Sequence, residues 1–459
     1  MKFTKMSLVA ALLIGSSAFA IENTKVSGDA KLYYATSDAG TNDLFSQDGS
    51  FGQAAIDLDI TTDLFKNDIV AISAGTGITV LTTLGLENNL VGGVWAGNIT
   101  PNGGITTGNT LQGSNGTAWW VDQAWIAATA GKTTAKVGRM DIDTPLAFTE
   151  TWNIAENTFE AAVLINQDIP DTTLVLAYVG SSNGSETSTV ANAQNGNNPF
   201  TGYTTYNDGA ARVGAVLGTN ALDSVGGAGA YAAGIVNNSW SPLTAQAWYY
   251  NVMQVANAYW LQADLNIEGI LVGAQYTDMT LKDNVTSTID GTSHNVKGAA
   301  AANGLDLTTT AYALMLGYEM KDVVTVKAAY SSVSDDSILT IQNTATGNQS
   351  KLYTDAWWMG GVVGASGANS YMINAEATVA EVALLAQYTH VDIDHKVLGG
   401  ADKGSMDEFA VTAGKSFGPL DATLAYVYTD ADTGTNAIAG FATGKTDSNM
   451  IQAYLTLNF

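Results

Sequence analysis

The sequence predicts an all-β fold, a transmembrane antiparallel β-barrel of about 16 to 18 strands, from three observations. Apolar and polar side chains alternate in units of about ten residues, aromatic residues gather at the ends of those units, and short turns alternate with long polar loops.

Alternation of period two gives a strand two unlike faces. In chain order, Val26, Gly28, Ala30, Leu32 and Tyr34 share a face; Ala54, Ile56, Leu58 and Ile60 oppose Asp57 and Asp59; Ala211, Val213, Ala215 and Leu217 oppose Arg212 and Gly214. Tyr259, Leu261, Ala263, Leu265 and Ile267 lie opposite Gln262, Asp264, Asn266 and Glu268. Tyr312, Leu314, Leu316 and Tyr318 oppose Glu319, and Val324, Val326, Ala328 and Tyr330 oppose Lys327. The last unit sets Ile451, Ala453, Leu455, Leu457 and Phe459 against Gln452, Tyr454, Thr456 and Asn458. A soluble sandwich alternates too, but its strands usually run about 5 or 6 residues, whereas crossing a bilayer at a tilt takes about ten.

The pairs Trp119-Trp120, Tyr249-Tyr250, Tyr259-Trp260 and Trp357-Trp358 fit an interfacial aromatic girdle. Short connections fall at Gly131-Lys132, Ile169-Pro170-Asp171, Lys321-Asp322 and Phe417-Gly418-Pro419, the expected periplasmic turns. Long polar segments at 181–208, 282–305, 333–355 and 429–447 are the expected extracellular loops, and residues 75–118 hold either a strand pair or an inward loop. Closure follows because hydrocarbon tolerates no unpaired sheet edge.

At the N-terminus Lys2 and Lys5 precede the apolar run Leu8 to Ile14, and Ala18-Phe19-Ala20 offers a signal-peptidase site. Residues 1–20 therefore read as a cleaved signal peptide and 21–459 as one barrel domain. No run of about 18 apolar residues follows, which excludes a helical membrane protein. With no Cys, neither disulfides nor thiolate chemistry is available. Acidic residues number 43 against 18 basic ones, which argues against nucleic acid as a partner. Three His, none in a sequence pattern that suggests a base beside a nucleophile, give little support to an enzyme.

The segment Val137-Gly138-Arg139-Met140-Asp141-Ile142-Asp143-Thr144-Pro145-Leu146-Ala147-Phe148, with Trp152-Asn153 and Asn157-Thr158-Phe159-Glu160-Ala161-Ala162-Val163, resembles the major outer-membrane porins of the Campylobacter and Sulfurimonas group. The start, Met1 to Ala11, and the ending Tyr454 to Phe459 are also similar. The resemblance implies an 18-stranded, trimeric barrel related to the OprD-type porins, with cation preference and sometimes a bound calcium ion. It also implies a basic row facing acidic residues at a constriction, a role that falls on Arg139.

In a barrel of this size the polar strand faces line water, and their charges decide which ions pass. Asp57, Asp59, Asp264, Glu268 and Glu319 are inward by parity, as is Arg212. Strict alternation groups Arg139 with Ala135 and Val137 on the lipid face; a bulge near Gly138 would turn it into the lumen, and an ion pair with Asp141 or Asp143 is the other reading. Lys136 and Lys327 are further basic candidates. Asp141 and Asp143 are a weak calcium pattern; no cofactor is required. Phe459, Leu457 and Leu455 form the terminal assembly signal read by the barrel-assembly machinery. The expected function is passive diffusion of ions and small hydrophilic solutes across an outer membrane. The alternative is a lipid-anchored surface protein whose long loops bind partners. A plugged transporter is disfavoured because alternation starts at Val26.

Overall fold

The computed structural model describes residues 22–82, 117–182, 223–283, 304–397, 400–432 and 445–459, apart from residues 153, 225–228, 254, 338 and 348, together with residue 84 and short pieces between 286 and 301. The proposed signal peptide, the strand proposed around Arg212 and most of 75–118 beyond Thr82 lie outside the described residues.

Among the described residues, eighteen strands form one closed antiparallel sheet. They are β1 (Glu22–Ser37), β2 (Ser50–Lys66), β3 (Ala71–Thr82), β4 (Thr117–Ala130), β5 (Thr133–Met140), β6 (Phe159–Asn166), β7 (Thr172–Ser182), β8 (Ala230–Asn237) and β9 (Leu243–Val252). They continue as β10 (Ala256–Ile267), β11 (Ile270–Leu281), β12 (Thr308–Met320), β13 (Val324–Val333), β14 (Ala368–Val379), β15 (Val382–Val397), β16 (Gly400–Phe417), β17 (Leu420–Asp432) and β18 (Lys445–Asn458). Asp223 and Ser224 pair with Ser182 and Ser181 on the edge of β7 that β8 occupies, so they prolong β8.

Each strand pairs with its chain neighbour, and β1 closes the ring on β18 from Asp29↔Asn458 to Ser37↔Met450. Gly28 and Phe459 exchange two backbone hydrogen bonds of 2.9 Å at that seam. Closure leaves no edge to be desolvated in hydrocarbon. The alternation seen in the sequence is the inside–outside alternation of this wall: Ile56, Leu261, Leu314 and Leu316 are exposed outward, whereas Trp260 and Gln452 are fully buried inward. Leu455, Leu457 and Phe459 lie on the outer face. Outward tyrosines meet around the wall, Tyr249 with Tyr259 at 5.0 Å and Tyr330 with Tyr371 at 5.1 Å between ring centroids, as an interfacial girdle requires.

At one rim the connections are the short turns the sequence predicts, and Ala380-Glu381 adds another, both residues having positive φ as the twist of a two-residue hairpin demands. At the other rim the connections are mostly long. Two of them, residues 141–158 after β5 and 334–367 after β13, turn back into the lumen and pack on the wall. The segment 333–355 is therefore not an outer loop, and Trp357-Trp358 is no girdle: Trp357 Nε1 donates to Gln452 Oε1 of the inner wall (3.2 Å), and Trp358 meets Trp152 edge-on at 5.9 Å. In Trp119-Trp120, Tyr249-Tyr250 and Tyr259-Trp260 only the first residue faces outward.

The loops supply the apolar core that a plain aqueous barrel lacks. Ile142, Leu146, Leu339, Ile341, Leu352, Val362 and Val363 are buried against Ala256, Ala258, Ala311 and Ala313 of the inner wall. Small wall residues leave the space that the loops fill. A second cluster seats Ile154 and Ala155 on Tyr33, Ala35, Ala55, Leu81 and Trp120.

Candidate functional site

Beside the inward loops, the inner face of β1–β4 carries an acidic wall. Asp29 lies opposite Asp57 in the β1–β2 ladder, and Asp57 and Asp59 are two residues apart on the same face of β2. Asp122 joins them through a bulge: between Gly77 and Thr79 the β3–β4 register shifts, so β4 sets two residues, Val121 and Asp122, against the single Ile78. The extra residue brings Asp122 and Gln123 to the inner face in succession. Carboxylate oxygens of Asp57, Asp59 and Asp122 lie within 4.8 Å of one another.

The gap between them exists because residue 77 is glycine. A Cβ there would sit 2.5 Å from Asp59 Oδ1 and 2.6 Å from Asp122 Oδ1. Thr79 Oγ1 donates to Asp122 Oδ2 (3.0 Å) and the Gln123 amide to Asp122 Oδ1 (3.0 Å). Lys31 offsets some of the charge, its Nζ 3.3 Å from Asp29 and 3.7 Å from Glu156 of the first inward loop.

Between the two inward loops lies a cavity of about 640 Å³ lined by Asp141, Asp143, Glu156, Gln349, Lys351 and Asp355. It meets a larger cavity of about 1150 Å³, reaching Glu319 and Glu376, at Thr151, Gln349 and Asp355. A third, of about 370 Å³, lies between the loops and Gln246, Gln262 and Gln275 of β9–β11. Gln123 Nε2 donates to Asp141 Oδ2 (2.9 Å). Partial enclosure by the lumen and the nearby charge of Glu156 push the Asp141 carboxyl up to about 6.

The loops are joined at Glu150, which accepts from Asn343 Nδ2 (3.0 Å), Trp152 Nε1 (2.8 Å), the Gln349 amide (3.2 Å) and the Thr346 hydroxyl. Burial pushes the Glu150 carboxyl up, against the pull of those donors. Asn343 also donates to the Phe148 carbonyl (2.8 Å), and the Thr344 amide to that of Leu146 (2.8 Å).

Of the residues singled out in the sequence, Asp57 and Asp59 fall in the acidic wall. Asp264 is also inward but engaged, accepting from the Tyr353 hydroxyl (2.5 Å) and Gln262 Nε2 (2.7 Å). Glu319 borders the cavity of about 1150 Å³ and accepts from Asn266 Nδ2 (3.2 Å). Lys327 is inward and paired with Glu376 at 3.0 Å. Lys136, opposite buried Ala127, places its ammonium 4.2 Å from the Trp125 ring centre. Glu268 is not on the luminal strand face: β10 ends at Ile267, and Glu268 begins the turn with φ +51°. Asp141 and Asp143 line one cavity with different partners, Asp141 accepting from Gln123 and Asp143 pairing with Lys351. Asp122 was not legible, because the bulge breaks the alternation by which it would have been counted.

Arg139 departs from its expected place. β5 keeps an unshifted register through Gly138, so Arg139 lies opposite Ala124 and Glu160 on the outer face with Ala135 and Val137. Gly138 has φ +130° but inserts no extra residue, and the bulge lies across the ladder in β4. The guanidinium donates to the carbonyl of Val121 in that bulge and to Glu160 Oε1 at 2.9 Å, in place of the expected Asp141 or Asp143. Arg139→Ala is expected to lower the heat stability of the barrel and leave its ion preference unchanged; a shifted zero-current potential would contradict the outward placement.

Neither a protein-family model nor a curated protein sequence matches this chain. Solved structures do. OccAB1 of Acinetobacter baumannii aligns over 97% of this chain and 99% of its own, at 13% identity and TM-score 0.65. OccK9 (OpdG) of Pseudomonas aeruginosa aligns over 96% and 100%, at 12% identity and TM-score 0.63. OccK2 (OpdF) of the same organism, solved in complex with glucuronate, aligns over 96% and 100%, at 12% identity and TM-score 0.60. At such identities the likeness is one of fold, the closed 18-stranded barrel of outer-membrane porins.

Proposed function

We propose that this chain is an outer-membrane porin of a Gram-negative bacterium, through which ions and small hydrophilic solutes diffuse passively with a preference for cations. The observation that carries the reading is the acidic wall of Asp29, Asp57, Asp59 and Asp122 on the inner face of a closed barrel, with Asp141 and Glu156 of the first inward loop joined to it through Gln123 and Lys31 and lining an open polar cavity. Fixed charge of one sign in a low-dielectric tube concentrates counter-ions and repels co-ions. Lys31 and Lys351 reduce that field without reversing it, being outnumbered by these six carboxylates.

The porin reading is tested by swelling of liposomes that hold the folded protein in isotonic sugars of increasing size. Swelling that falls with sugar size supports diffusion through a sieve, and no swelling with the smallest sugar supports the anchored surface protein instead. Cation preference carries its own pH signature. Asp141, whose carboxyl is pushed up to about 6, is neutral below that pH and charged above it, so the cation-to-anion ratio should rise as pH passes from 5 to 7. Asp141→Asn should flatten that rise, and a rise of equal size in the variant would remove Asp141 from the pathway.

The reading includes removal of residues 1–20 on export, insertion by the barrel-assembly machinery through the Phe459 end, and three copies per assembly. A native mass equal to one chain in mild detergent would remove the trimer.

A further inference from the structure

The cavities of about 640 and 370 Å³ share two lining residues, Asp143 and Lys351. These residues stand 208 positions apart, one on each inward loop, and their side chains form an ion pair between the loops. On one side of the pair is the cavity lined by Asp141 and Glu156, which Gln123 and Lys31 link to the acidic wall; on the other is the neutral row Gln246, Gln262 and Gln275. The pair is thus a bar between an acidic cavity and one lined by amides.

Neither end of the bar depends on it for position. The Lys351 carbonyl accepts from Gln275 Nε2 (2.8 Å), and the Tyr353 amide donates to Gln275 Oε1 (3.0 Å), which ties the second loop to the wall on either side of Leu352. The Lys351 ammonium also lies 4.6 Å from the Phe148 ring centre. Asp143 is held by its backbone bridge to Phe148, and the loops are bonded to one another through Glu150 and Asn343. The Asp143 side chain is 84% exposed and that of Lys351 34%, so the pair contributes little to stability and opens readily.

We infer that the Asp143–Lys351 pair is a crossbar that divides the lumen and sets both the unit conductance and the size of solute that passes. The inference rests on the porin reading. When the pair is closed, traffic is confined to the acidic passage; when it opens, the glutamine-lined space joins the pathway. Uncharged hydrophilic solutes gain most, because that space is lined mainly by amide side chains, and its nearest wall carboxylate, Asp264, is held by Tyr353 and Gln262.

The test is single-channel recording of the full-length protein and four variants in planar bilayers, with heat-modifiable gel migration as the check on folding. The double variant Asp143→Asn/Lys351→Met keeps the net charge, so a rise in unit conductance of at least about 1.5-fold reports the bar and not the field. Asp143→Asn and Lys351→Met alone should each raise conductance while moving the zero-current potential in opposite directions. The exchange Asp143→Lys/Lys351→Asp should restore the parent value. Should the double variant fail to fold, the isosteric Asp143→Asn decides, since loss of an acidic charge lowers cation conductance unless a barrier opens. Unchanged or reduced conductance in folded variants of a conducting protein overturns the crossbar alone. A parent barrel that does not conduct overturns the porin reading and the crossbar with it.

Discussion

Replacing Asp57, Asp59 and Asp122 together by Asn is expected to reduce the cation-to-anion permeability ratio about fivefold, the largest change in selectivity that any local substitution should produce. The three carboxylates converge within 4.8 Å, so a passing ion meets them as one centre. A unit charge about 4 Å from a carboxylate gains roughly 1 kcal/mol even at the dielectric constant of water, and about 1.4 kcal/mol is a tenfold ratio, so a partly screened triple loss is readily measured. Asn keeps the shape and an acceptor for Thr79, so the bulge at Val121–Asp122 should persist. The check is the zero-current potential under a salt gradient, at low and at high salt. An unaltered potential would mean that permeating ions bypass this wall.

Glu150→Ala should have the largest effect on the shape of the pore. Glu150 is 3% exposed and gathers Asn343, Trp152, Thr346 and the Gln349 amide, so truncation removes an acceptor that four donors share. Each buried donor left unmade costs about 1 to 3 kcal/mol, enough to loosen the loops against the bonds that remain, those of Asn343 with Phe148 and of Thr344 with Leu146. The barrel ladder does not pass through Glu150, so the protein should still fold and resist heat, but with severalfold larger and noisier unit currents. Glu150→Gln keeps an acceptor oxygen and should stay near the parent. Loss of the folded barrel in Glu150→Ala would show that the loops hold up the wall instead of merely lining it.

The wall was legible in the sequence because its rules are local. Alternation about Asp57 or Gln262 needs only the period of a strand, and the turns at Gly131-Lys132 and Phe417-Gly418-Pro419 need only local backbone chemistry. The constriction was not legible because it is made by contacts such as Asn343 with Phe148, 195 residues apart. One signal was available: the inward positions Ala256, Ala258, Trp260, Ala311 and Ala313 are apolar, and a strand greasy on both faces must be covered on the inside too. Arg139 was misplaced for a different reason. The cost of an outward arginine argued for a bulge in its own strand, whereas Glu160 and the Val121 carbonyl satisfy it where alternation leaves it.

The central claim, an open and cation-preferring pore, is tested most directly by recording the purified protein in a planar bilayer with unequal salt on the two sides. The account predicts stepwise openings and a zero-current potential of the sign that cation flow produces. Silent membranes from correctly folded barrels, or a potential of the opposite sign, would contradict it.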